Sequence, residues 1–437
     1  MAGVVDLRKR EGSLQTPPVA KILGGKRLVG DVVVGGSKNA CLPMLAASLL
    51  TGDECVINNV PNLSDTTTMV EIIRCMGADV SYIGKSGLRI RAATISSEAP
   101  RSLVKKMRGS VCLMGALVGR KGKAVVPVPG GCVIGDRPID LHVKGFESLG
   151  CSVFENDDLL MVDGTKLHSA RIFLGGERGS TVTGTMNVIM VALRAAGMTI
   201  IESAAIEPEV TDFCGYLTKM GAKINGVGTR TLEIDGGHQL HGCEHTVIGD
   251  RIEAGTFVCA GLITGGDVRI FGLQFGVLDP LLTKLRDIGA NVSQSTDGAI
   301  RVKASNGIGT TNVVTGPHPQ FPTDLQAQLC SLLTQSDGES TITDNVYPNR
   351  FLYVPELMKM GADISVSTPC ARIHGRSRLS GAHTQATDLR ASAALYLAGL
   401  CASGETFVHD VFHLDRGYEN FEKKLRMLGA AIERVAS

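Results

Sequence analysis

One short phrase recurs six times along the 437-residue chain, and it constrains the fold more than any other feature of the sequence. The phrase reads Leu, Met or Ile, then Gly, then Ala or Cys, then one variable residue, and then Val or Ile. Successive glycines of the phrase lie 68 to 73 residues apart, and this regular spacing predicts one supersecondary unit that is used six times. The six glycines are Gly77, Gly150, Gly221, Gly289, Gly361 and Gly429.

The unit around each phrase contains two helices of different character. The phrase follows a helix-like stretch such as TTTMVEIIRC, and its glycine is typical of a helix end with a left-handed backbone. Upstream lies a second helical stretch, such as TVTGTMNVIMVALRAA, which is apolar on nearly all sides and therefore predicts a buried helix. Short strands connect the two helices. We therefore predict a β-α-β-α-β-β unit with buried inner helices and strands wrapped outside.

Six such units predict two domains of three units each. The chain is too long for one ordinary core, which favours the same division. We expect the first domain over residues 38–247 and the second over residues 1–37 plus 248–437. The first 37 residues are expected to return to the second domain as an edge strand, although the repeat pattern does not show this.

Composition argues against several classes of function. The formal net charge is +1 and Trp is absent, which disfavours a polybasic nucleic-acid or membrane surface and an aromatic platform for single-stranded nucleic acid. The twelve cysteines form no CxxC pair and no zinc-finger spacing, so they indicate a reduced protein. The sequence shows no signal peptide and no run of membrane-span length. We expect a cytoplasmic protein without nucleic-acid or membrane partners.

The predicted inner helices begin with small polar residues and often with a basic one. Because a helix N-terminus offers unpaired N–H groups and a positive dipole end, such starts attract anions. Ordinary N-capping explains any single helix, but six together favour a cleft for an anionic substrate. The basic residues are Lys38, Arg108, Arg178, Arg251 and Arg390.

A glycine-rich loop, PGGCVIGDRP, carries the thiol of Cys132 with Arg137 five residues later. A thiol on such a loop can approach a ligand closely, and a nearby cation favours the thiolate. A turn followed by a buried structural cysteine is an equal alternative from these residues alone.

Six motifs in order make the chain resemble a known family. It resembles the UDP-N-acetylglucosamine 1-carboxyvinyltransferase branch of the enolpyruvyl transferases, from about residue 20 to the end. The resemblance implies a two-domain inside-out α/β barrel of six units and transfer of the carboxyvinyl group of phosphoenolpyruvate to a sugar 3-hydroxyl, with no metal or organic cofactor. The motifs are GGSKNA at 35–40, PGGCVIGDRPIDLH at 129–142, FPTDLQAQ at 321–328, NRFLYVPELMKMGA at 349–362, DLRASAA at 388–394 and HLDRGYE at 413–419.

The resemblance also implies catalytic roles. Cys132 would be the mobile acid that protonates the methylene carbon, and Asp324 the base toward the sugar hydroxyl. An ordinary helix N-cap is the alternative for Asp324. Lys38 and Arg416 would hold the phosphate and carboxylate of phosphoenolpyruvate.

Further residues are implied to bind substrate. Asn39 would contact the substrate hydroxyl, Arg137 would join the phosphoenolpyruvate clamp, and Arg108 would reach the nucleotide sugar. Val346 would lie beside the sugar. Arg137, Pro138, Ile139, Asp140 and Leu141 would form the uridine segment. Thr181 and Val182 would form part of the diphosphate loop, and Arg350 and Arg390 would be further cations of the cleft.

Some positions depart from the family pattern on the acceptor side. Residues 181–185 read TVTGT where the family commonly has SVGAT, Gly179 stands where a family lysine is usual, and Asp136 makes the loop read GDRP instead of GARP. These departures leave open a paralogue that acts on another uridine nucleotide or nucleoside. The shikimate branch of the family is a weaker alternative, and a non-catalytic nucleotide-sugar sensor is another. We expect a monomer or weak homo-oligomer.

Overall fold

The computed structural model describes residues 18–130, 138–297, 299–303 and 307–436. Its buried apolar side chains form two separate cores. One core lies within residues 40–247, and the other combines residues 20–34 with residues 252–432. The two cores support the predicted division into domains at 37/38 and 247/248, which we keep as a proposal.

Elements around the first core alternate helices with short sheets. The helices are α1 (Lys38–Ala47), α2 (Ser64–Cys75), α3 (Arg101–Val104), α4 (Leu113–Lys121), α5 (Asp140–Ser148), α6 (Val182–Ala192) and α7 (Pro208–Lys219). The strands are β3 (Glu54–Asn58), β4 (Asp79–Ile83), β5 (Gly87–Arg91), β6 (Lys123–Pro127), β7 (Ser152–Asn156), β8 (Leu159–Asp163), β9 (Arg171–Phe173), β10 (Gly175–Gly176), β11 (Gly179–Ser180), β12 (Gly197–Glu202), β13 (Lys223–Asn225), β14 (Thr231–Gly236) and β15 (Glu244–Thr246). The strand orders are β15-β3-β5-β4, β6-β8-β7 and β13-β14-β12-β9, with β10 and β11 forming a two-stranded hairpin. Two 3₁₀ helices span Ser48–Leu50 and Arg108–Cys112.

The second core repeats this plan with three four-stranded sheets. The helices are α8 (Arg251–Ile263), α9 (Asp279–Asp287), α10 (Gln326–Leu333), α11 (Val354–Lys359), α12 (Leu389–Cys401) and α13 (Phe421–Met427). The strands are β1 (Val19–Leu23), β2 (Val29–Val33), β16 (Asp267–Phe271), β17 (Asn291–Gln294), β18 (Ile300–Lys303), β19 (Asn312–Thr315), β20 (Glu339–Asp344), β21 (Asp363–Ser367), β22 (Cys370–His374), β23 (His383–Gln385), β24 (Glu405–His409) and β25 (Ala431–Val435). The strand orders of the three sheets are β17-β18-β16-β2, β19-β20-β22-β21 and β23-β24-β1-β25. Two 3₁₀ helices span Thr323–Leu325 and Val411–Arg416.

The six phrase glycines all end outer helices in the left-handed region. Their φ angles lie between 82° and 109°, and they follow α2, α5, α7, α9, α11 and α13. A residue with a side chain is strained at this φ, which explains why glycine recurs there. The inner helices α1, α4, α6, α8, α10 and α12 are buried over most of their lengths. The six-unit α/β organisation predicted from the repeat is therefore confirmed.

The N-terminal strands pair with sheets of the second core. Strand β1 lies inside its sheet, antiparallel to both β24 and β25, and β2 is an edge strand parallel to β16. The expected edge strand is thus β2, while β1 occupies an interior position that the repeat pattern could not show.

Two antiparallel segments connect the cores, and they position the starts of two inner helices. The Ser37 N–H donates to the Ile248 carbonyl at 2.7 Å, and the Asp250 N–H donates to the Gly35 carbonyl at 2.9 Å. A Cβ on Gly36 would overlap the Asn59 carbonyl oxygen, so the crossing requires glycine. Because α1 and α8 begin directly after these segments, the crossing places both helix starts side by side. Within the described ranges, no helix is long and apolar enough to cross a membrane.

Candidate active site

Asp324 lies between two arginines at the start of an inner helix. Arg350 Nη1 donates to its Oδ1 at 2.8 Å, and Arg390 Nη2 donates to its Oδ2 at 2.9 Å. The carboxylate belongs to the 3₁₀ helix before α10 and makes no capping hydrogen bond to either helix. The N-cap alternative for Asp324 is therefore wrong, because the N-cap positions of these two helices are Pro322 and Leu325.

The two arginines control the charge of this carboxylate. Burial alone would raise the pKa of Asp324, but Arg390 and Arg350 outweigh burial and hold that pKa well below its usual value of 3.8. The Arg390 and Arg350 side chains are 4% and 6% exposed, whereas that of Asp324 is 27% exposed. Asp324 is thus an ionised carboxylate with an accessible edge, which a ligand can reach.

Lys38 and Arg416 meet on one carboxylate that sequence reasoning missed, that of Asp65. Lys38 Nζ lies 3.2 Å from Asp65 Oδ2, and Arg416 Nε lies 3.0 Å from Asp65 Oδ1. Asp65 is buried in the first turn of α2, while Arg416 ends a 3₁₀ helix packed on the second core. The structure therefore brings the two predicted anion-binding cations together across the two cores.

The ammonium group of Lys38 is strongly desolvated. Burial lowers the pKa of Lys38, and the charges of Arg390 and Arg416 lower it further, while Asp65 opposes them. Because the charge of Arg390, a partner of Asp324, lowers the pKa of Lys38, the Lys38 pair and the Asp324 pair share one electrostatic environment. Asn39 is half-buried beside Lys38 in the first turn of α1. Together with Arg350 they place four cations and two carboxylates between the cores, a net positive charge suited to an anion, and we call this region the cleft.

More contacts between the cores surround this cleft. Arg251, at the start of α8, donates from Nε to Glu209 Oε1 at 2.9 Å. The His318 N–H donates to Glu207 Oε1 at 3.1 Å, and burial raises the pKa of Glu207. A Cβ on Gly179 would crowd the Pro317 ring, so glycine allows the hairpin after β10 to approach the second core. The predicted cation Arg251 thus joins the cores through Glu209.

The Cys132 loop falls outside the described residues, as do Arg137 and Asp136, but its beginning is described. Arg108 Nη1 donates to the Pro129 carbonyl at 3.2 Å. A Cβ on Gly130 would overlap the Lys105 carbonyl, so the chain enters the loop tightly packed on the segment after α3. Arg108 therefore lies at the root of the Cys132 loop.

The predicted uridine segment leads into α5. Pro138 and Asp140 are exposed, whereas Ile139 and Leu141 are half-buried. Asp140 is the first residue of α5, where its negative charge suits the helix dipole. The segment ends at a fully enclosed histidine, His142.

His142 connects the uridine segment to the predicted diphosphate loop. Asn187 donates from Nδ2 to His142 Nδ1 at 3.0 Å, so Nδ1 is the unprotonated nitrogen and Nε2 carries the proton toward Thr183 Oγ1 at 3.2 Å. Burial lowers the pKa of His142 to about 3, and the charge of Arg108 adds to this effect. A neutral imidazole in one tautomer therefore fixes the Thr183 hydroxyl.

The predicted diphosphate loop starts α6. The Thr181 hydroxyl caps this helix by accepting the Gly184 N–H at 3.2 Å, and Val182 follows half-buried in the first turn. Arg178 lies in the turn between β10 and β11 and is not at the start of α6 itself, because a short hairpin precedes the helix. The substituted loop therefore keeps an intact helix start and adds a hydroxyl held by His142.

Val346 is held by a second residue that sequence reasoning missed, Asp344. Its Oδ1 accepts the N–H groups of Val346 at 3.0 Å and of Tyr347 at 2.8 Å. Its Oδ2 accepts the Thr323 hydroxyl at 2.7 Å, next to Asp324. One buried carboxylate thus fixes both the Val346 turn and the Asp324 turn. The position of Asp344 at the end of the predicted strand STITDN was the available signal.

Comparisons with known proteins agree on one family. A family model described as EPSP synthase (3-phosphoshikimate 1-carboxyvinyltransferase) matches residues 22–425. The chain is 50% identical over 416 residues to a UDP-N-acetylglucosamine 1-carboxyvinyltransferase of Methylacidiphilum infernorum (isolate V4), a match that covers 95% of this chain and 98% of that relative. It is 47% identical, over the same shares, to the protein of that name in Magnetococcus marinus.

Solved structures of the same architecture match nearly the whole chain. The enolpyruvyl transferase NikO from Streptomyces tendae matches with a TM-score of 0.88 at 26% identity, covering 97% of this chain and all of that one. EPSP synthase from Acinetobacter baumannii matches with a TM-score of 0.74 at 18% identity, covering 96% of this chain and all of that one, which concerns the fold alone.

Proposed function

Since the chain belongs to the enolpyruvyl (1-carboxyvinyl) transferase family, we propose that it transfers the carboxyvinyl group of phosphoenolpyruvate to the 3-hydroxyl of UDP-N-acetylglucosamine and releases phosphate. The observation that carries this proposal is the 43–50% identity, over about 95% of the chain, to relatives that bear the name of this activity. The reaction is the first committed step of peptidoglycan precursor synthesis, and we place it in the cytoplasm.

The reaction has two steps whose protons need acceptors and donors. In the addition, the sugar hydroxyl oxygen bonds to C2 of phosphoenolpyruvate, the hydroxyl proton leaves, and C3 gains a proton to become a methyl group. In the elimination, the bond from C2 to the phosphate oxygen breaks and a proton leaves C3. A positioned base and a positioned acid are therefore both required.

Asp324 supports the role of base because its carboxylate stays ionised and one edge is accessible. Arg350 and Arg390 fix its two oxygens, which aligns the carboxylate before substrate arrives. The acid role of Cys132 rests on the sequence resemblance, and Arg108 at the root of its loop supports a link between that loop and the nucleotide sugar.

Lys38 and Arg416 support binding of the phosphate and carboxylate of phosphoenolpyruvate. Both cations are held on Asp65, so an incoming substrate anion must compete with that carboxylate for them. Arg137 and Asn39 complete the proposed phosphoenolpyruvate and hydroxyl contacts. We place the acceptor along Pro138, Ile139, Asp140 and Leu141, with its diphosphate at Thr181 and Val182 and its sugar beside Val346.

A second candidate acceptor is another uridine nucleotide or nucleoside. The Thr183 hydroxyl held by His142 favours this alternative, since it alters the loop proposed to bind the diphosphate. We propose a monomer or weak homo-oligomer, since substrate groups from both cores of one chain line the cleft.

The test is phosphate release from phosphoenolpyruvate with UDP-N-acetylglucosamine or with UMP as acceptor. We expect turnover with the nucleotide sugar and a loss of about 100- to 10,000-fold in kcat for Asp324→Asn, as for loss of a general base. Asp363→Asn, at an exposed position on β21, is the matched control. Turnover with UMP alone would favour the second candidate, and ligand binding without any turnover would favour the sensor.

A further inference from the structure

A buried tyrosine just after Arg416 contacts the support of the proposed base. Tyr418 is 2% exposed, and its ring faces the Arg390 guanidinium, whose Cζ lies 5.5 Å from the ring centroid. Arg390 in turn donates to Asp324. A cation over an aromatic face is attracted by the ring quadrupole, and this attraction is strongest where water is excluded. The ring therefore limits where the Arg390 guanidinium can sit.

The Tyr418 hydroxyl belongs to a directed chain of hydrogen bonds. The Thr256 hydroxyl donates its proton to the Ile252 carbonyl at 2.8 Å, so it can only accept from Tyr418, whose oxygen lies 2.8 Å away. The Tyr418 hydroxyl then donates to Thr256, and its oxygen accepts from Gln328 Nε2 at 3.0 Å. In this arrangement each hydroxyl donates once and accepts at least once.

Gln328 connects this chain of hydrogen bonds to the backbone of the proposed base. Its Nε2 also donates to the Asp324 carbonyl oxygen at 3.0 Å and lies 3.2 Å from Thr256 Oγ1. Gln328 and Thr256 are fully buried. This chain of hydrogen bonds joins α8, α10 and the segment after Arg416 at the Asp324 turn. Tyr418 therefore contacts both Arg390, which binds the Asp324 carboxylate, and Gln328, which binds the Asp324 backbone.

We propose that Tyr418 is a positioning residue for the transfer reaction, holding Arg390 with its ring and the Asp324 backbone with its hydroxyl through Gln328. This inference rests on the proposed function, because it assigns Asp324 the base role. Gly417 lets the segment approach the start of α12, since a Cβ there would crowd the Leu389 side chain. Arg416 and Tyr418 thus connect the anion-binding cations to the base through one short segment.

Two substitutions separate the ring from the hydroxyl. Tyr418→Phe keeps the ring over Arg390 and removes the hydroxyl, so we expect kcat to fall about 10- to 100-fold, as for a base displaced by a fraction of an ångström. The acidic limb of the kcat profile should stay where it is. Tyr418→Leu removes the ring as well, so Arg390 loosens, the pKa of Asp324 rises, and the acidic limb moves to higher pH.

Tyr396→Phe is the matched control. Tyr396 is a fully buried tyrosine of α12 whose hydroxyl donates to Glu422 at 2.8 Å, away from Asp324. Its loss should leave kcat and the acidic limb unchanged. The proposal would be overturned if Tyr396→Phe and Tyr418→Phe lowered kcat equally, or if neither Tyr418→Phe nor Tyr418→Leu changed kcat.

A readout that does not depend on turnover separates this inference from the proposed function. Carbon-13 NMR titration of labelled aspartates, with Asp324→Asn to assign the signal, reports the Asp324 carboxyl directly. We expect Tyr418→Leu to raise its pKa, while Tyr418→Phe and Tyr396→Phe leave it unchanged. If the wild type turned over no acceptor but the titration shifted as described, the proposed function would fail and the positioning of Asp324 would stand. An unshifted Asp324 signal in Tyr418→Leu would refute the positioning.

Discussion

Glu253 predicts an unusual pH dependence of stability at the crossing between the cores. It is 3% exposed, its Oε2 accepts the Gly35 N–H at 2.8 Å, and its Oε1 pairs with Lys424 Nζ at 2.5 Å. Burial raises its pKa to about 7 and the charge of Asp250 adds to this, while Lys424 and the Gly35 N–H oppose them. The folded protein therefore holds a proton on Glu253 at pH values where the unfolded chain has lost it.

This difference in bound protons determines whether the free energy of unfolding rises or falls with pH. Between the usual glutamate pKa of 4.5 and about 7, the folded state binds more protons at this site, so stability falls as pH rises through that window. The displacement corresponds to about 2–3 kcal/mol of the free energy of unfolding between pH 5 and pH 8. Because Gly35 leads directly to Lys38, the same proton affects the crossing that positions an inner helix of the site.

Glu253→Gln removes this titration. Urea unfolding followed by circular dichroism at pH 5, 6, 7 and 8 gives the free energy of unfolding of both proteins. We expect the wild type to lose about 2–3 kcal/mol relative to the variant as pH rises. Glu71→Gln, at an exposed position on α2, is the control and should track the wild type. If the free energy of unfolding of the wild type minus that of Glu253→Gln stayed flat, or rose with pH, this prediction would be wrong.

Three further predictions concern the cleft. Asp65→Asn leaves two largely buried cations without this partner, so it should lower the free energy of unfolding by about 3 kcal/mol. Urea unfolding should show that inorganic phosphate restores more stability to this variant than to the wild type, and equal restoration would contradict this. Because the pKa of His142 is lowered to about 3, the unfolded chain binds a proton at this residue below pH 6.5 while the folded protein does not, so stability falls as pH falls. In urea unfolding, His142→Gln should remove about 2 kcal/mol of the decrease in the free energy of unfolding between pH 6.5 and pH 4.5. An unchanged pH dependence would contradict that. Peptide mapping after alkylation, or after a phosphonate epoxide that resembles phosphoenolpyruvate, should find Cys132 labelled ahead of Cys75, the exposed thiol among the described cysteines; the reverse order would reject its role as the acid.

The repeat made the architecture predictable because it reflects local backbone chemistry. A glycine at each outer-helix end needs a left-handed φ, and that requirement is visible in the sequence at Gly77 as clearly as at Gly429. The interior place of β1 was not predictable, because strand pairing between residues 19–23 and the far C-terminus leaves no local pattern.

The site was predictable in its residues but not in its pairings. The motifs identified Asp324, Lys38 and Arg416, but they left a helix cap open as the role of Asp324. The contacts of Arg350 and Arg390 with the two oxygens of Asp324 are visible in the structure and not in the sequence. Asp65 was missed because its partners are 27 and 351 residues away. The pair of Asp65 with Arg416 depends on how the two cores meet, which sequence spacing does not encode.

We infer that Asp324 serves transfer of a carboxyvinyl group to a nucleotide-sugar hydroxyl. Its most direct test is NMR identification of the product formed from phosphoenolpyruvate and UDP-N-acetylglucosamine by the wild type and by Asp324→Asn. We predict a vinyl ether on the sugar 3-oxygen that the wild type forms readily and the variant forms at least about 100-fold more slowly. An unmodified nucleotide sugar with the wild type, or equal rates with the two proteins, would contradict the account.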